Sequence, residues 1–180
     1  MENLTNFKKK ICLLGAFGVG KTSLIQRFVY ERFDEKYLTT LGVNISQKIM
    51  PPTRPGNGQG LIQYTFLIWD IAGVEKFTPM NKTYYSGASA GIAVADLSRP
   101  DTMNQLEAIL AKFSEAAPEA PVIILGNKLD LVEFAAEAKD QLKTVANNLN
   151  HEHIFTSAKT GYGVENAFIK IAQKLADSDG

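Results

Sequence analysis

The sequence predicts an α/β fold: a six-stranded, mostly parallel sheet with one antiparallel edge strand and helices on both faces. Three observations predict it. Short apolar runs alternate along the chain with segments whose apolar residues recur at helical spacing. Two strand-like runs follow one another across a loop of turn residues, which makes them a hairpin and supplies the antiparallel strand. No repeat or linker interrupts the 180 residues, so one domain spanning 1–180 is expected.

The first strand is read at Lys10-Ile11-Cys12-Leu13-Leu14, an apolar run ended by glycine, and the helix after it places Leu24, Ile25, Phe28 and Val29 on one face. Val43 to Met50 and Leu61 to Trp69 are β-rich, and residues 51–60 between them (PPTRPGNGQG) form a long hairpin tip, read as a flexible loop. Gly91 to Asp96 has a buried-strand pattern, followed by Leu106, Ile109, Leu110 and Phe113 at helical spacing. Val122 to Leu125 precedes Ala138, Leu142, Val145, Ala146 and Leu149. The last pair is His153 to Phe155, then Val164, Phe168, Ile171, Ala172 and Leu175. Strands that alternate with helices run parallel and are covered on both faces.

Charge and termini exclude several classes. With 19 basic and 19 acidic residues there is no global field to favour nucleic acid or an anionic membrane. The single Cys12 cannot form an intramolecular disulfide, which fits a reducing, cytoplasmic setting. No stretch approaches the ~20 apolar residues of a membrane helix. Glu2 stands where myristoylation needs glycine, and Ala176-Asp177-Ser178-Asp179-Gly180 holds no cysteine to prenylate, so no lipid anchor is expected.

Gly15-Ala16-Phe17-Gly18-Val19-Gly20-Lys21-Thr22 fits GxxxxGK[ST], and it stands where that pattern works, after a strand and at the start of a helix. Its glycines let successive N–H groups point inward, and the helix N-terminus adds partial positive charge facing bound phosphates. Lys21 is expected to reach the outer phosphates and the Thr22 hydroxyl to ligate Mg²⁺. The base is read elsewhere. Asn127-Lys128-Leu129-Asp130 follows a buried strand at the carboxyl edge of the sheet, where such folds place ligands. A carboxylate there accepts from guanine N1–H and the 2-amino group, whereas adenine offers neither donor. Ser157-Ala158-Lys159, after the final strand, reaches the same edge.

In these motifs the chain resembles the Ras-like small GTPases, most closely the Rab-like branch of bacterial type, over nearly its whole length. The resemblance implies a P-loop NTPase of the small G-protein fold, a switch that binds GTP or GDP with magnesium and hydrolyses GTP. It places Ala16 to Ser23 around the phosphates, Phe33 beside the guanine, and Tyr37 to Val43 in the first switch, with Thr40 joining Mg²⁺. Thr40, not Thr39, keeps the family's distance from Lys21. Trp69-Asp70-Ile71-Ala72-Gly73 is similar to the motif opening the second switch, where Asp70 would hold Mg²⁺ through water and the Gly73 N–H would touch the γ-phosphate. Lys21, Thr40 and Gly73 are thus the catalytic candidates. By the same analogy Asn127, Lys128 and Asp130 bind guanine and the Ala158 N–H contacts its carbonyl, supported by Ser157 and Lys159. Thr40 and Gly73 sense groups present only with the γ-phosphate, so hydrolysis releases both loops, and effectors read the result. Activating or exchange proteins are expected at the same loops.

Two positions depart from the pattern. Val74 stands where the family has the glutamine that orients the attacking water, and valine can neither donate nor accept a hydrogen bond, so slow turnover is expected. Glu75 follows but starts one position away. Phe17 occupies a P-loop position that is small in many relatives, and its ring either crowds the γ-phosphate or folds outward as a shield. The competing function is a non-catalytic GTP-binding interaction module, while an ATP-dependent kinase is disfavoured by Asn127-Lys128-Leu129-Asp130 and the lack of a lid domain. His151 and His153 have no partners at metal-ligand spacing. Tyr64, Phe66 and Ile68 on one strand face, with Trp69 on the other, read as sheet packing, and Lys8, Lys9 and Lys10 as a solvated start to the first strand.

Overall fold

The computed structural model describes residues 3–36, 40–58, 60–72, 79–132 and 135–180. In chain order the elements are β1 (Leu4–Leu14), α1 (Lys21–Tyr30), β2 (Val43–Ile49), β3 (Leu61–Ile71), α2 (Pro79–Tyr85), β4 (Ala90–Asp96), α3 (Pro100–Asn104), α4 (Leu106–Ala116), β5 (Val122–Asn127), α5 (Ala136–Asn148), β6 (Glu152–Phe155) and α6 (Val164–Asp179). The six strands form one sheet in the order β2-β3-β1-β4-β5-β6. All neighbouring pairs are parallel except β2 with β3, the expected hairpin.

Alternation along the central strands decides the layers, because successive side chains point to opposite faces. Ile11 and Leu13 pack with Leu24 and Phe28 of α1 and Phe168 and Ile171 of α6. Cys12 and Leu14 face the other way, into a core with Leu106, Leu110 and Phe113 of α4 and Leu142 of α5. The rings of Phe28 and Phe168 stack at 3.8 Å, within 1° of parallel, and fix α1 against α6. Tyr64, Phe66 and Ile68 are fully buried as sheet packing. No helix among the described residues is long and apolar enough to cross a membrane.

Three features differ from expectation. β1 starts at Leu4, not Lys10, because β3 begins at Leu61 and offers Leu4 to Lys9 a parallel partner. The lysines there are not all simply solvated: Lys9 pairs with Asp179 at 2.8 Å, and Lys10 lies 3.7 Å from the Trp69 ring centroid and donates to the Ser86 carbonyl. The hairpin tip, read as flexible, is tied to α6. The Gly56 N–H donates to Asp177 Oδ1 at 2.9 Å, Gln173 Nε2 to the Arg54 carbonyl at 3.1 Å, and Pro55 is buried. Turn composition sets the shape of such a loop, but the partner that holds it lies 121 residues further along the chain. Two short helices, α2 and α3, also escaped the periodicity reading, since 7 and 5 residues are too few to show an apolar stripe.

Candidate functional site

The site lies at the carboxyl ends of the strands, where the loops after β1, β5 and β6 meet the N-terminus of α1. The Gly15-to-Gly20 loop requires glycine at both ends. A Cβ on Gly15 would stand 2.4 Å from the Val94 carbonyl oxygen, and one on Gly20 (φ +101°) would stand 2.3 Å from Asn127 Nδ2.

Each carbonyl of this loop accepts a hydrogen bond. Lys21 Nζ donates to the carbonyls of Gly15 and Ala16 at 2.8 and 2.9 Å. Arg99 Nη1 donates to Phe17 at 3.0 Å, Lys128 Nζ to Gly18 at 2.8 Å and Asn127 Nδ2 to Val19 at 3.0 Å. The Gly20 carbonyl takes the Leu24 N–H of α1 at 2.9 Å. In a trans peptide the N–H points opposite the carbonyl, so fixing the carbonyls also fixes the donors. A run of oriented N–H groups at a helix N-terminus is an anion site.

Beside it lies a cluster of oxygens. The Thr22 hydroxyl is 2.6 Å from Asp70 Oδ2 and 2.6 Å from Thr40 Oγ1, although these residues come from α1, β3 and the loop before β2. Asp70 Oδ1 is buried and has no hydrogen-bond partner among the described residues. Two hydroxyls and a carboxylate with an orphaned oxygen make a hard donor set suited to a small divalent cation. Burial raises the Asp70 carboxyl above its ordinary range, against the Thr22 hydrogen bond and the Lys21 charge. Burial likewise pushes Lys21 down to about 8, with Asp70 opposing. Both charged forms therefore stand to gain from a charged ligand and cation in the cleft.

At the other end, Asn127 closes β5 and bridges two loops: Nδ2 holds Val19, and Oδ1 accepts from Thr156 Oγ1 at 3.1 Å. Lys128 is left-handed at φ +64°, a conformation a non-glycine residue adopts only when its surroundings impose it. Its ammonium stands 2.8 Å from Oδ2 of the fully buried Asp96, off the hydrogen-bonding direction, so charge attraction holds the pair. Ser157 Oγ donates to Asp130 Oδ1 at 2.6 Å and orients the carboxylate, which keeps lone pairs on both oxygens.

These groups surround a cleft of about 430 Å³, the size of a small-molecule site. It is lined by the sequence-predicted residues Phe17, Gly18, Gly20, Lys21, Thr22, Ser23, Phe33, Thr40, Asp70, Asn127, Lys128, Asp130, Ala158 and Lys159. Ala16, Val19 and Ser157 are buried behind its wall. Phe17 is 39% exposed and lines the cleft. Gly73, Val74 and Glu75, with Tyr37, Leu38 and Thr39, lie outside the described residues. Sequence reasoning missed Arg27, Asp96, Arg99 and Thr156, which hold the loops. Only Asp96 carried a signal, as a carboxylate ending an otherwise apolar strand.

The sheet order, the glycine loop and the cleft across the strand ends define a P-loop nucleotide-binding α/β protein. A protein-family model described as the Ras family matches residues 10–177. The chain is 32% identical over 171 residues to the Ras-related protein Rab-22A of Homo sapiens, covering 94% of this chain and 84% of that one. It is 33% identical to Rab-31 of Homo sapiens over 171 residues, with the same coverage of 94% and 84%. Rab-1 of Theileria parva is 35% identical over 170 residues, 93% of this chain and 74% of that one. The chain belongs to the Ras family: it is a Rab-like small GTPase, a switch that binds guanine nucleotide and hydrolyses GTP.

Proposed function

We propose that residues 1–180 form one switch domain whose site works as follows. Lys21 and the N–H groups of Ala16 to Ser23 bind the phosphates. Asn127, Lys128 and Asp130 bind guanine, with Ala158 at its carbonyl, Ser157 and Lys159 in support and Phe33 beside the ring. Thr22, Thr40 and Asp70 hold Mg²⁺, which when bound neutralises charge on the phosphate oxygens. Gly73 contacts the γ-phosphate, and Val74, unable to orient water, leaves hydrolysis slow. Effectors, with activating and exchange proteins, act at the switch loops of a cytoplasmic protein.

The observation that carries this reading is the Thr40 hydroxyl, 2.6 Å from Thr22 Oγ1 beside the Asp70 carboxylate. A threonine brought there from a separate loop ties that loop to the phosphate end of the cleft, and such a tie is what nucleotide hydrolysis can cut. GTP and GDP affinities of Thr40→Ala, measured with Mg²⁺ and with EDTA, test it. The GTP preference should fall in Mg²⁺ while GDP affinity stays near the parent's. Equal loss for both nucleotides would refute a switch at this loop.

A further inference from the structure

Arg27 of α1 does not line the cleft, yet it touches the loop that closes it. Its Nε donates to the Ala158 carbonyl at 2.8 Å and its Nη2 to the Lys159 carbonyl at 2.5 Å. The loop wraps the arginine stem closely enough that a Cβ on Gly161 would stand 3.7 Å from Arg27 Cδ. Ala158 is 4% exposed, so its carbonyl depends on a protein donor. The preceding peptide is fixed separately, since the Ser157 carbonyl accepts from the Gly161 N–H at 2.8 Å and Ser157 Oγ from the Thr160 N–H at 3.1 Å. Both peptide planes flanking Ala158 are therefore set, one by the loop itself and the other by Arg27. A planar guanidinium can hold two successive carbonyls at once, which a lysine ammonium on a flexible stem does poorly. The same helix carries Lys21 and Thr22 in its first turn, so Arg27 joins the phosphate end of the cleft to its base end.

We propose that Arg27 is the positioning residue of the guanine end. By clamping the Ala158 and Lys159 carbonyls to α1, it anchors the whole turn whose own hydrogen bonds orient the Ala158 N–H, and so keeps that turn seated against the base; without the clamp the turn lifts and nucleotide leaves faster. The proposal rests on the assignment of Asp130 and Ala158 to guanine.

The test compares the parent with Arg27→Met, which keeps most of the stem and loses both donors, and with Arg27→Lys and Asp130→Asn. Release of fluorescent GDP is followed after a chase, and GDP, ADP and XDP affinities are measured by competition. Arg27→Met should speed GDP release about tenfold and lower the GDP-to-ADP affinity ratio by a similar factor, as expected for loss of charge-assisted bonds that orient a base contact. Arg27→Lys should fall between the two. Unchanged release, or GDP and ADP weakened in equal proportion as general loosening would do, overturns the proposal. If Arg27→Met does not fold, Arg27→Lys releasing GDP at the parental rate overturns it alone. Asp130→Asn separates the guanine contact from the role of Arg27. If it leaves the GDP-over-XDP preference intact, the guanine assignment fails and Arg27's role with it. If it admits XDP while the Arg27 variants behave as the parent, only the role of Arg27 falls.

Discussion

Replacing Asn127 by alanine removes two buried hydrogen bonds at once, and the cost can be worked from its partners. The amide nitrogen holds the Val19 carbonyl at 3.0 Å and the amide oxygen accepts from Thr156 Oγ1 at 3.1 Å; Val19 and Thr156 are both 0% exposed. Each orphaned group then carries a desolvation penalty of about 1–3 kcal/mol, partly relieved if water enters the vacated space. A loss of about 3 kcal/mol is expected, a large fraction of a typical domain's stability. Urea unfolding should be followed at two GDP concentrations, because bound nucleotide adds its own stabilisation and the difference separates binding from folding. A double-mutant cycle with Thr156→Val sharpens the test. Valine removes the hydroxyl that Asn127→Ala leaves stranded, so the second substitution should cost about 1–2 kcal/mol less in the alanine background than in the parent. An unchanged urea midpoint for Asn127→Ala, or strictly additive costs, would refute the bridge.

Three further outcomes are expected. Asp130→Asn should weaken GDP and admit XDP, whose 2-oxo group can accept from the new amide, with the lost charge-assisted pair worth about 1.5–3 kcal/mol in competition titrations. Val74→Gln should raise single-turnover GTP hydrolysis about tenfold, equivalent to ~1.4 kcal/mol of barrier, and adding Phe17→Gly should exceed either change alone; a parent already turning over as fast as both variants would refute the role given to Val74. The Cys12 thiol is pushed up to about 12 by burial, against the lowering effect of Lys10. Thiolate-selective reagents at pH 8 should therefore spare it until the protein unfolds. Because the folded chain keeps this proton more tightly than the unfolded one, the stability it contributes is present below the ordinary thiol pKa and fades as pH rises towards 12.

The site's ends were legible because each is written in consecutive residues. Gly15 to Thr22 and Asn127 to Asp130 carry their chemistry in spacing alone, and the apolar runs around them placed both at the same sheet edge. The supporting contacts were not legible, because they join residues distant in sequence. Arg27 reaches carbonyls 131 and 132 positions away, and Arg99 reaches one 82 positions away. Backbone carbonyls have no residue type, so no motif can name them as acceptors. The lysines of β1 and the hairpin tip were not legible for a related reason. Lys9 and Gly56 read as solvent-facing in isolation, and only the arrival of Asp179 and Asp177 at the end of α6 gives them partners.

The phosphate loop shows where its shape is stored. Its glycines supply freedom, and its own Lys21 holds the first two carbonyls, while the conformation of Phe17 to Val19 is imposed from outside by the side chains of Arg99, Lys128 and Asn127. The octapeptide that defines the motif is therefore not a portable part. Transplanted onto another strand and helix without Arg99, Lys128 and Asn127, Gly15 to Thr22 would keep the Lys21 bonds to its first two carbonyls and lose those that fix Phe17 to Val19. A binding site built this way is inherited with its scaffold or not at all.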